Sequence, residues 1–129
     1  MKPMKAGMKS HSKLPTEHEE QKGLLHWFRK QFPRVLIFAI PNGEKRSISV
    51  AKRLKAEGVT KGIPDLYVPE WNLWIEMKRR KGGVLSKEQR NVIGYLESIG
   101  DTVIVGRGAE DASKKILEFV QKRFDGGGD

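Results

Sequence analysis

Two kinds of hydrophobic periodicity divide this chain into helical and extended segments. Apolar residues recur every three or four positions in four stretches, which predicts four amphipathic helices. Short apolar or aromatic runs bounded by turn residues predict four strands. The order is helix, strand, helix, strand hairpin, helix, strand, helix, which favours an α/β domain with a small mixed sheet flanked by helices. The predicted helices cover residues 16–32, 47–57, 86–99 and 111–124, and the predicted strands cover residues 35–40, 65–68, 73–78 and 102–105.

Each predicted helix has an apolar stripe that we expect to face the sheet. Thr16 is a favourable N-cap for the first helix, and Pro33 ends it. Gly58 and Gly100 are the expected ends of the second and third helices. The expected inward residues are Leu24, Leu25 and Phe28 in the first helix; Ile48, Ala51 and Leu54 in the second; Val92, Ile93, Leu96 and Ile99 in the third; and Ala112, Ile116, Leu117 and Val120 in the fourth.

The hairpin brings charged side chains together. Side chains alternate between the two faces of a strand, so Trp74, Glu76 and Lys78 share one face of the second hairpin strand. Asp65 begins the first hairpin strand and can therefore lie beside Glu76. Carboxylates are costly in an otherwise apolar strand unless they are paired or bind a metal. Two carboxylates and an ammonium at a sheet edge suit a hard divalent cation and a nucleophilic water.

The third predicted helix carries a polar residue on its apolar stripe. Ser86 is a good N-cap, and Gln89 three residues later completes a capping-box pattern. Gln89 also lies three residues before Val92, on the side that faces the sheet. Two roles therefore remain open for it, which are capping the helix and pointing back towards Glu76 and Lys78 to order water or substrate.

Length and composition restrict the class of protein. A chain of 129 residues has room for one domain with a modest core. It contains no cysteine, which excludes disulfides, thiolate metal sites and cysteine nucleophiles. No run is long enough to span a bilayer and no apolar signal core is present, so we expect an intracellular, cytoplasmic protein. We expect a flexible basic arm over residues 1–15, one domain over residues 16–124 and a flexible tail over residues 125–129.

The charge is strongly basic and clustered. The formal net charge is +9, which makes nucleic acid the first partner to consider. One basic cluster lies between residues 45 and 61, and a second directly follows Glu76 and Met77. A soluble basic surface without a partner is the alternative. The expected nucleic-acid contacts are Lys45, Arg46, Lys52, Arg53, Arg79, Arg80 and Lys81.

Together, these motifs resemble the PD-(D/E)xK nuclease superfamily. The pattern is Pro64-Asp65 followed by Glu76-Met77-Lys78, and the surrounding sequence resembles the VRR-NUC branch in its short stand-alone form from phages and bacteria. The resemblance covers about residues 16–120. Its further motifs are Thr16-Glu17, Gln21, Leu24-Leu25, Pro41-Asn42-Gly43, Arg53-Leu54-Lys55, Gly58, Gly62-Ile63, Leu85-Ser86 and Gln89.

The resemblance implies a restriction-endonuclease-like core and a site for Mg²⁺ or Mn²⁺. It implies that Asp65 and Glu76 bind the metal, with the Met77 carbonyl as a further ligand and Glu17 of the first helix nearby, contacting the metal directly or through water. It implies that Lys78 orients or deprotonates the attacking water and that Gln89 assists. Glu17 lies seven residues before Leu24, which places it on the buried face of the first helix. Alignment on the first-helix stripe selects Glu17 for the helix-borne acid and leaves Glu20 as the alternative. Alternatively, Glu17 is an acid of the first turn that is only stabilised by the helix dipole.

The resemblance also implies a structure-selective nuclease of branched DNA, similar to a Holliday-junction resolvase. One chain offers one site, and two symmetric cuts need two, so we expect a homodimer. Trp27, Phe28 and the last helix offer apolar surface for an interface, unless they fill the core. A flap-type or general DNA nuclease and a non-catalytic basic DNA-binding module are the alternatives. A sequence-specific restriction enzyme would need an added recognition domain.

Overall fold

The computed structural model describes residues 1–4, 13–41 and 46–125. The order of helices and strands is the one predicted from the sequence, and the fold is an α/β domain in which helices flank a mixed sheet. A single turn of 3₁₀ helix, Pro69–Trp71, joins the two hairpin strands. The helices are α1 (Glu17–Gln31), α2 (Ile48–Ala56), α3 (Lys87–Ser98) and α4 (Ala109–Asp125), and the strands are β1 (Phe38–Ala39), β2 (Leu66–Val68), β3 (Leu73–Lys78) and β4 (Thr102–Arg107).

The four strands form one sheet in the order β1-β2-β3-β4. β1 and β2 run antiparallel, as do β2 and β3, whereas β3 and β4 run parallel. A parallel pair requires a crossover connection, and α3 supplies it. The predicted hairpin of β2 and β3 is confirmed, with Leu66 opposite Ile75 and Val68 opposite Leu73.

One face of the sheet is buried under α1 and α4. Leu66, Ile75 and Met77 point to this side and are almost completely buried. α4 approaches β4 closely, because a Cβ atom at Gly106 would lie only 2.5 Å from the Cβ of Ala112. The core consists of Leu24, Trp27, Phe28, Ile37, Leu66, Val68, Trp71, Leu73, Ile75, Met77, Ile104, Ala109, Ala112, Ile116 and Val120.

Trp27 and Phe28 belong to this core. Phe28 is fully buried and packs against the rings of Phe32 and Trp71, and Trp27 is 8% exposed. The indole N–H of Trp27 donates to the Lys2 carbonyl at 2.8 Å. Of the two alternatives for these side chains, an interface or core filling, the structure shows core filling.

The first strand is shorter than predicted. Residues 35–40 are apolar, but only Phe38–Ala39 pairs in the sheet. Its one neighbour, β2, is itself only three residues long, so the edge strand has few ladder partners. β4 and α4 extend beyond their predicted bounds, to Arg107 and Asp125.

Two predicted apolar stripes are not buried. No residue of α2 is buried, and Ile48 is 78% exposed. In α3 only Leu96 is buried, while Ile99 is 56% exposed. The physical reason is that α1 and α4 already cover the core face, so these helices have little apolar surface to pack against. Their predicted inward positions are wrong for Ile48, Ala51 and Ile99.

The first four residues contact the domain, although we expected them to belong to a flexible arm. The backbone N–H of Met4 donates to Ser113 Oγ at 3.2 Å. The rest of the expected arm from residue 5 to residue 12, positions 42–45 with Asn42, Gly43 and Lys45, and the tail from residue 126 lie outside the described residues. Within the described ranges no helix has both the length and the apolar character needed to cross a membrane.

Candidate active site

The second sheet face carries the charged residues of the hairpin. β3 alternates, so Glu76 and Lys78 point away from the core residue Met77 between them. Extending the β2–β3 register by one residue places Asp65 opposite Glu76. The Asp65 carbonyl accepts from the Ile40 N–H at 2.8 Å, so its backbone bonds towards β1. Asp65 and Glu76 thus form a pair without mutual backbone bonds, the arrangement in which opposite side chains come closest.

Asp65 is also bonded to the backbone of β3. Its Oδ2 accepts from the Met77 N–H at 2.7 Å. The next register position opposite Met77 is Pro64, which has no N–H and cannot donate to the Met77 carbonyl. A residue in a strand directs its N–H and C=O to the same side. The Met77 carbonyl therefore faces β2, as the Met77 N–H does, and receives no backbone hydrogen bond from Pro64.

Gln89 connects the acid and the base of β3. Its Nε2 donates to Glu76 Oε2 at 3.1 Å, and its Oε1 accepts from Lys78 Nζ at 3.0 Å. Lys78 Nζ lies 3.6 Å from Glu76 Oε2, and both side chains are less than a tenth exposed. The Ser86–Gln89 capping box is present as well. Both roles predicted for Gln89 are therefore compatible with this geometry.

The two carboxyl groups have raised pKa values. Burial and the negative charge of Asp65 raise the pKa of Glu76 to about 8, although Lys78 acts in the opposite direction. Burial also raises the pKa of Asp65, opposed by the hydrogen bond from Met77 and reinforced by the charge of Glu17. One lysine does not offset two buried carboxylates, and a further cation would lower the cost of ionising both.

Glu17 and Glu20 occupy different environments. Glu20 is 3% exposed, and its carboxylate accepts from Arg80 Nε at 2.8 Å and from the Ala109 N–H at 3.1 Å. Glu17 is exposed, contrary to its predicted position on the buried face, but it lies near enough to act on Asp65. Glu20 thus connects α1 to the start of α4, and Glu17 is the first-helix acid on the side of the candidate site.

The oxygen donors of this site fit a hard divalent cation. In the part of the chain that the structure describes, no three His, Cys, Asp or Glu side chains are grouped as metal ligands. The oxygens that could hold such a cation are the carboxylates of Asp65 and Glu76 with the Met77 carbonyl. Magnesium keeps several of its waters and needs only a few protein oxygens, so this set suffices for Mg²⁺ or Mn²⁺.

The expected nucleic-acid contacts are arranged in two groups. Arg79 and Lys81 are exposed directly after Lys78, whereas Arg80 is held by Glu20. The other group, Arg46, Lys52 and Arg53, lies at and along α2. The pairing of Arg80 with Glu20 was not predicted from the sequence. The position of Glu20 four residues before Leu24 could have indicated that Glu20 faces the core and needs a partner there.

A row of aromatic side chains, which was not predicted from the sequence, lies on the same sheet face as the candidate active site. Phe38, Tyr67 and Trp74 are direct neighbours across β1, β2 and β3. The rings of Tyr67 and Trp74 lie 4.1 Å apart, and those of Phe38 and Tyr67 lie 5.8 Å apart. The alternation of side chains along β3, which places Trp74 on the same face as Glu76, could have indicated that aromatic side chains lie on this face.

Comparison with known proteins identifies the fold. Neither a protein-family model nor a curated protein matches this chain. A solved structure described as a "VRR_NUC domain protein" is similar with a TM-score of 0.70 and 24% sequence identity, covering 84% of this chain and 91% of that one. The chain therefore has the VRR-NUC fold, as its sequence motifs led us to expect.

Proposed function

We propose that this chain is a metal-dependent endonuclease that hydrolyses phosphodiester bonds in branched DNA. The main support is the pairing of Asp65 and Glu76 beside Lys78 on one sheet face. A protein that only binds DNA needs basic residues and gains nothing from two buried carboxylates, which repel phosphate. The likeness to a VRR_NUC domain protein is consistent with a nuclease-type domain.

The carboxylates of Asp65 and Glu76 and the carbonyl of Met77 would hold Mg²⁺ or Mn²⁺, with Glu17 acting through water. Bound there, the cation supplies Lewis-acid stabilisation of the phosphate and favours ionisation of a nucleophilic water. The chain fixes these donors before DNA arrives, because Asp65 is bonded to the Met77 N–H and Glu76 to Gln89. Such preorganisation lowers the cost of assembling the site during the reaction.

Lys78 provides the positive charge that belongs to the protein itself. Gln89 Oε1 accepts a hydrogen bond from the Lys78 ammonium, and Glu76 lies at ion-pair distance. Lys78 orients the attacking water as an ammonium or deprotonates it as the neutral amine, and the positive charge stabilises the negative charge that develops on the phosphate oxygens. Gln89 positions both partners and needs no proton transfer of its own.

The DNA partner is supported by the charge distribution. The net charge of +9 attracts a polyanion, and the exposed residues Arg79 and Lys81 lie next to the candidate site. Within branched DNA we propose four-way junctions, similar to the substrates of Holliday-junction resolvases. Two paired cuts would require two copies of the site, so the active form we propose is a homodimer.

The decisive test compares cleavage and binding in the same variants. Four-way-junction, flap and linear duplex DNA are incubated with Mg²⁺ and, separately, with EDTA. Asp65→Ala or Glu76→Ala should abolish cleavage and leave binding unchanged or slightly tighter, because a carboxylate without metal repels phosphate. Glu118→Ala, an exposed acid on α4, is the matched control. Loss of binding together with cleavage would indicate a structural role for the two acids and refute the metal site.

A further inference from the structure

The row of Phe38, Tyr67 and Trp74 combines aromatic surface with a defined orientation. The Trp74 indole N–H donates to Asp101 Oδ2 at 2.9 Å, and the Tyr67 hydroxyl donates to Asn72 Oδ1 at 3.3 Å. Both polar ends are thus bonded, which holds the rings in place. Phe38 is 38% exposed on the edge strand, and the other two side chains are half-buried.

This row lies directly beside the candidate active site. Tyr67 follows Asp65 by two residues, and Trp74 precedes Glu76 by two, so both carboxylates and all three rings share a sheet face. Two residues along a strand correspond to roughly 6.8 Å. α3 packs on the β4 side of this face, through the bonds of Gln89 to Glu76 and Lys78, and Phe38 lies at the opposite edge.

Ordinary core packing does not account for the position of these rings. The core is on the other face, where Phe28 and Trp71 are buried. Aromatic rings on a sheet beside basic residues are the usual platform for nucleotide bases, since every base has a π-face that can stack. The neighbouring cations Arg79 and Lys81 suit the phosphates of the same strand.

We propose that the row Phe38–Tyr67–Trp74 binds an unstacked or unpaired nucleotide base of the DNA strand whose phosphate lies at Asp65 and Glu76. This proposal rests on the proposed function and specifies its substrate. Inside a continuous duplex each base is covered on both faces by its neighbours. Only a base that has lost a neighbour or a partner can reach the rings, so the row selects DNA with unstacked or unpaired bases at the point of branching, including the bases at the crossover of a four-way junction.

Intrinsic fluorescence tests the proposal without any cleavage. The chain has three tryptophans, and Trp27 and Trp71 are 8% and 4% exposed in the core, so Trp74 is the one that a base can reach. In EDTA, single-stranded oligothymidylate should quench the emission. A blunt hairpin duplex with the same number of phosphates should bind without comparable quenching. Trp74→Phe keeps an aromatic ring and should remove the quenching while retaining binding, measured by anisotropy of a labelled oligonucleotide.

A matched pair of substitutions separates stacking from charge. Phe38→Leu keeps an apolar side chain and removes the ring, and it should weaken oligothymidylate binding roughly tenfold while leaving duplex binding unchanged. Phe124→Leu makes the same change on α4, at a ring that is 65% exposed on the other side of the molecule, and should change neither affinity. Tyr67→Leu should repeat the selective loss, with a thermal melt confirming that the variant is folded.

Three results would overturn the proposal. One is the absence of quenching by single-stranded DNA, and another is an equal loss of single-strand and duplex affinity in Phe38→Leu. The third is a change in sedimentation of Phe38→Leu with unaltered affinity, which would make the row a contact between copies of the chain. Failure of the nuclease assignment is recognised separately, because it would show as absent Mg²⁺-dependent cleavage with the quenching intact.

Discussion

Gln89 shows how one neutral side chain can serve two charged ones. Its amide donates to Glu76 and accepts from Lys78, so the acid and the base are bonded through a group that does not titrate. A carboxylate in the same position would add a third negative charge beside Asp65 and Glu76. The amide therefore organises the site without raising the carboxyl pKa values further.

We expect Gln89→Ala to slow cleavage by roughly ten- to a hundredfold, because hydrogen bonds to charged groups contribute about 1.5–3 kcal/mol. DNA binding in EDTA should stay unchanged, since Gln89 does not need to touch phosphate. Gln121→Ala, at an exposed position on α4, is the control and should cleave normally. Steady-state cleavage rates and an anisotropy titration measure the two quantities. A variant that loses binding but cleaves at the normal rate when saturated would contradict the role of Gln89.

The raised pKa of Glu76 predicts how stability depends on pH when no metal is present. Its pKa is about 8 in the folded chain, against an ordinary 4.5, so the folded state holds a proton that the unfolded state releases. The free energy of unfolding should therefore fall as pH rises from about 4.5 to about 8. Asp65 acts in the same direction. Thermal melts in EDTA at pH 5.5 and 8.5 should give a lower Tm at pH 8.5.

Glu76→Gln removes one of the titrating groups and should reduce this pH dependence, whereas Glu118→Gln should retain it. Mg²⁺ in place of EDTA should raise the Tm of the wild type more at pH 8.5 than at pH 5.5, because metal and proton compete for the same carboxylates. A Tm of Glu76→Gln that falls with pH as steeply as that of the wild type would show that other groups cause the effect.

At the scale of the elements, the loop before Asp65 lies against the start of α3. Gly62 has a φ of +90°, and a Cβ there would come within 2.6 Å of the Glu88 backbone carbonyl. Gly58, at the other end of the same loop, has a φ of +102° and nothing within 4 Å. Both glycines have a positive φ, but only at Gly62 does close packing require the absence of a side chain.

We expect Gly58→Ala and Gly62→Ala each to cost about 1–2 kcal/mol of stability through the left-handed backbone. Gly62→Ala should in addition displace the loop from α3, alter the position of Asp65 relative to Gln89, and lower the cleavage rate. Gly58→Ala should cleave normally once folded. Urea unfolding and cleavage at a temperature well below both midpoints separate these effects. Equal cleavage rates in the two variants would show that the contact does not position the site.

At the scale of the elements, some side-chain positions could be predicted from the sequence and others could not. The faces of Glu76, Lys78 and Met77 follow from alternation within one strand, which is a local property. The outward position of Ile48 does not, because an apolar stripe indicates only that a helix can bury a face. Whether it does so depends on the sheet, where α1 and α4 already occupy the core side. The partners of Glu20 lie 60 and 89 positions away, so no local pattern shows them.

At the scale of the whole molecule, the excess positive charge should make DNA binding strongly salt-dependent. Each phosphate neutralised releases counterions, with a slope of about −0.9 in log K against log salt. Lys81→Glu, beside the site, should weaken binding to branched and linear DNA and make the slope shallower. Lys122→Glu makes the same change in net charge on α4, across the sheet, and should have a much smaller effect. An affinity that is independent of salt would contradict a nucleic-acid partner.

The proposed dimer can be tested directly by measuring the mass of the protein in solution. Sedimentation at micromolar concentration should give about twice the chain mass of 14.6 kDa. Four-way-junction DNA should then be cut into two nicked duplexes, because two sites act on opposite strands. A monomer that cuts only flaps would rule out the paired mechanism and leave a flap-type nuclease.

The contact of Glu20 with Arg80 and the Ala109 N–H has a consequence for folding kinetics. Glu20 belongs to the first helix, yet its partners follow β3 and begin the last helix. Burying the Glu20 carboxylate is favourable only when these partners are in place, and contacts over such long sequence separations are expected to form late in folding. The contact closes late, so Glu20→Gln should accelerate unfolding more than it slows refolding.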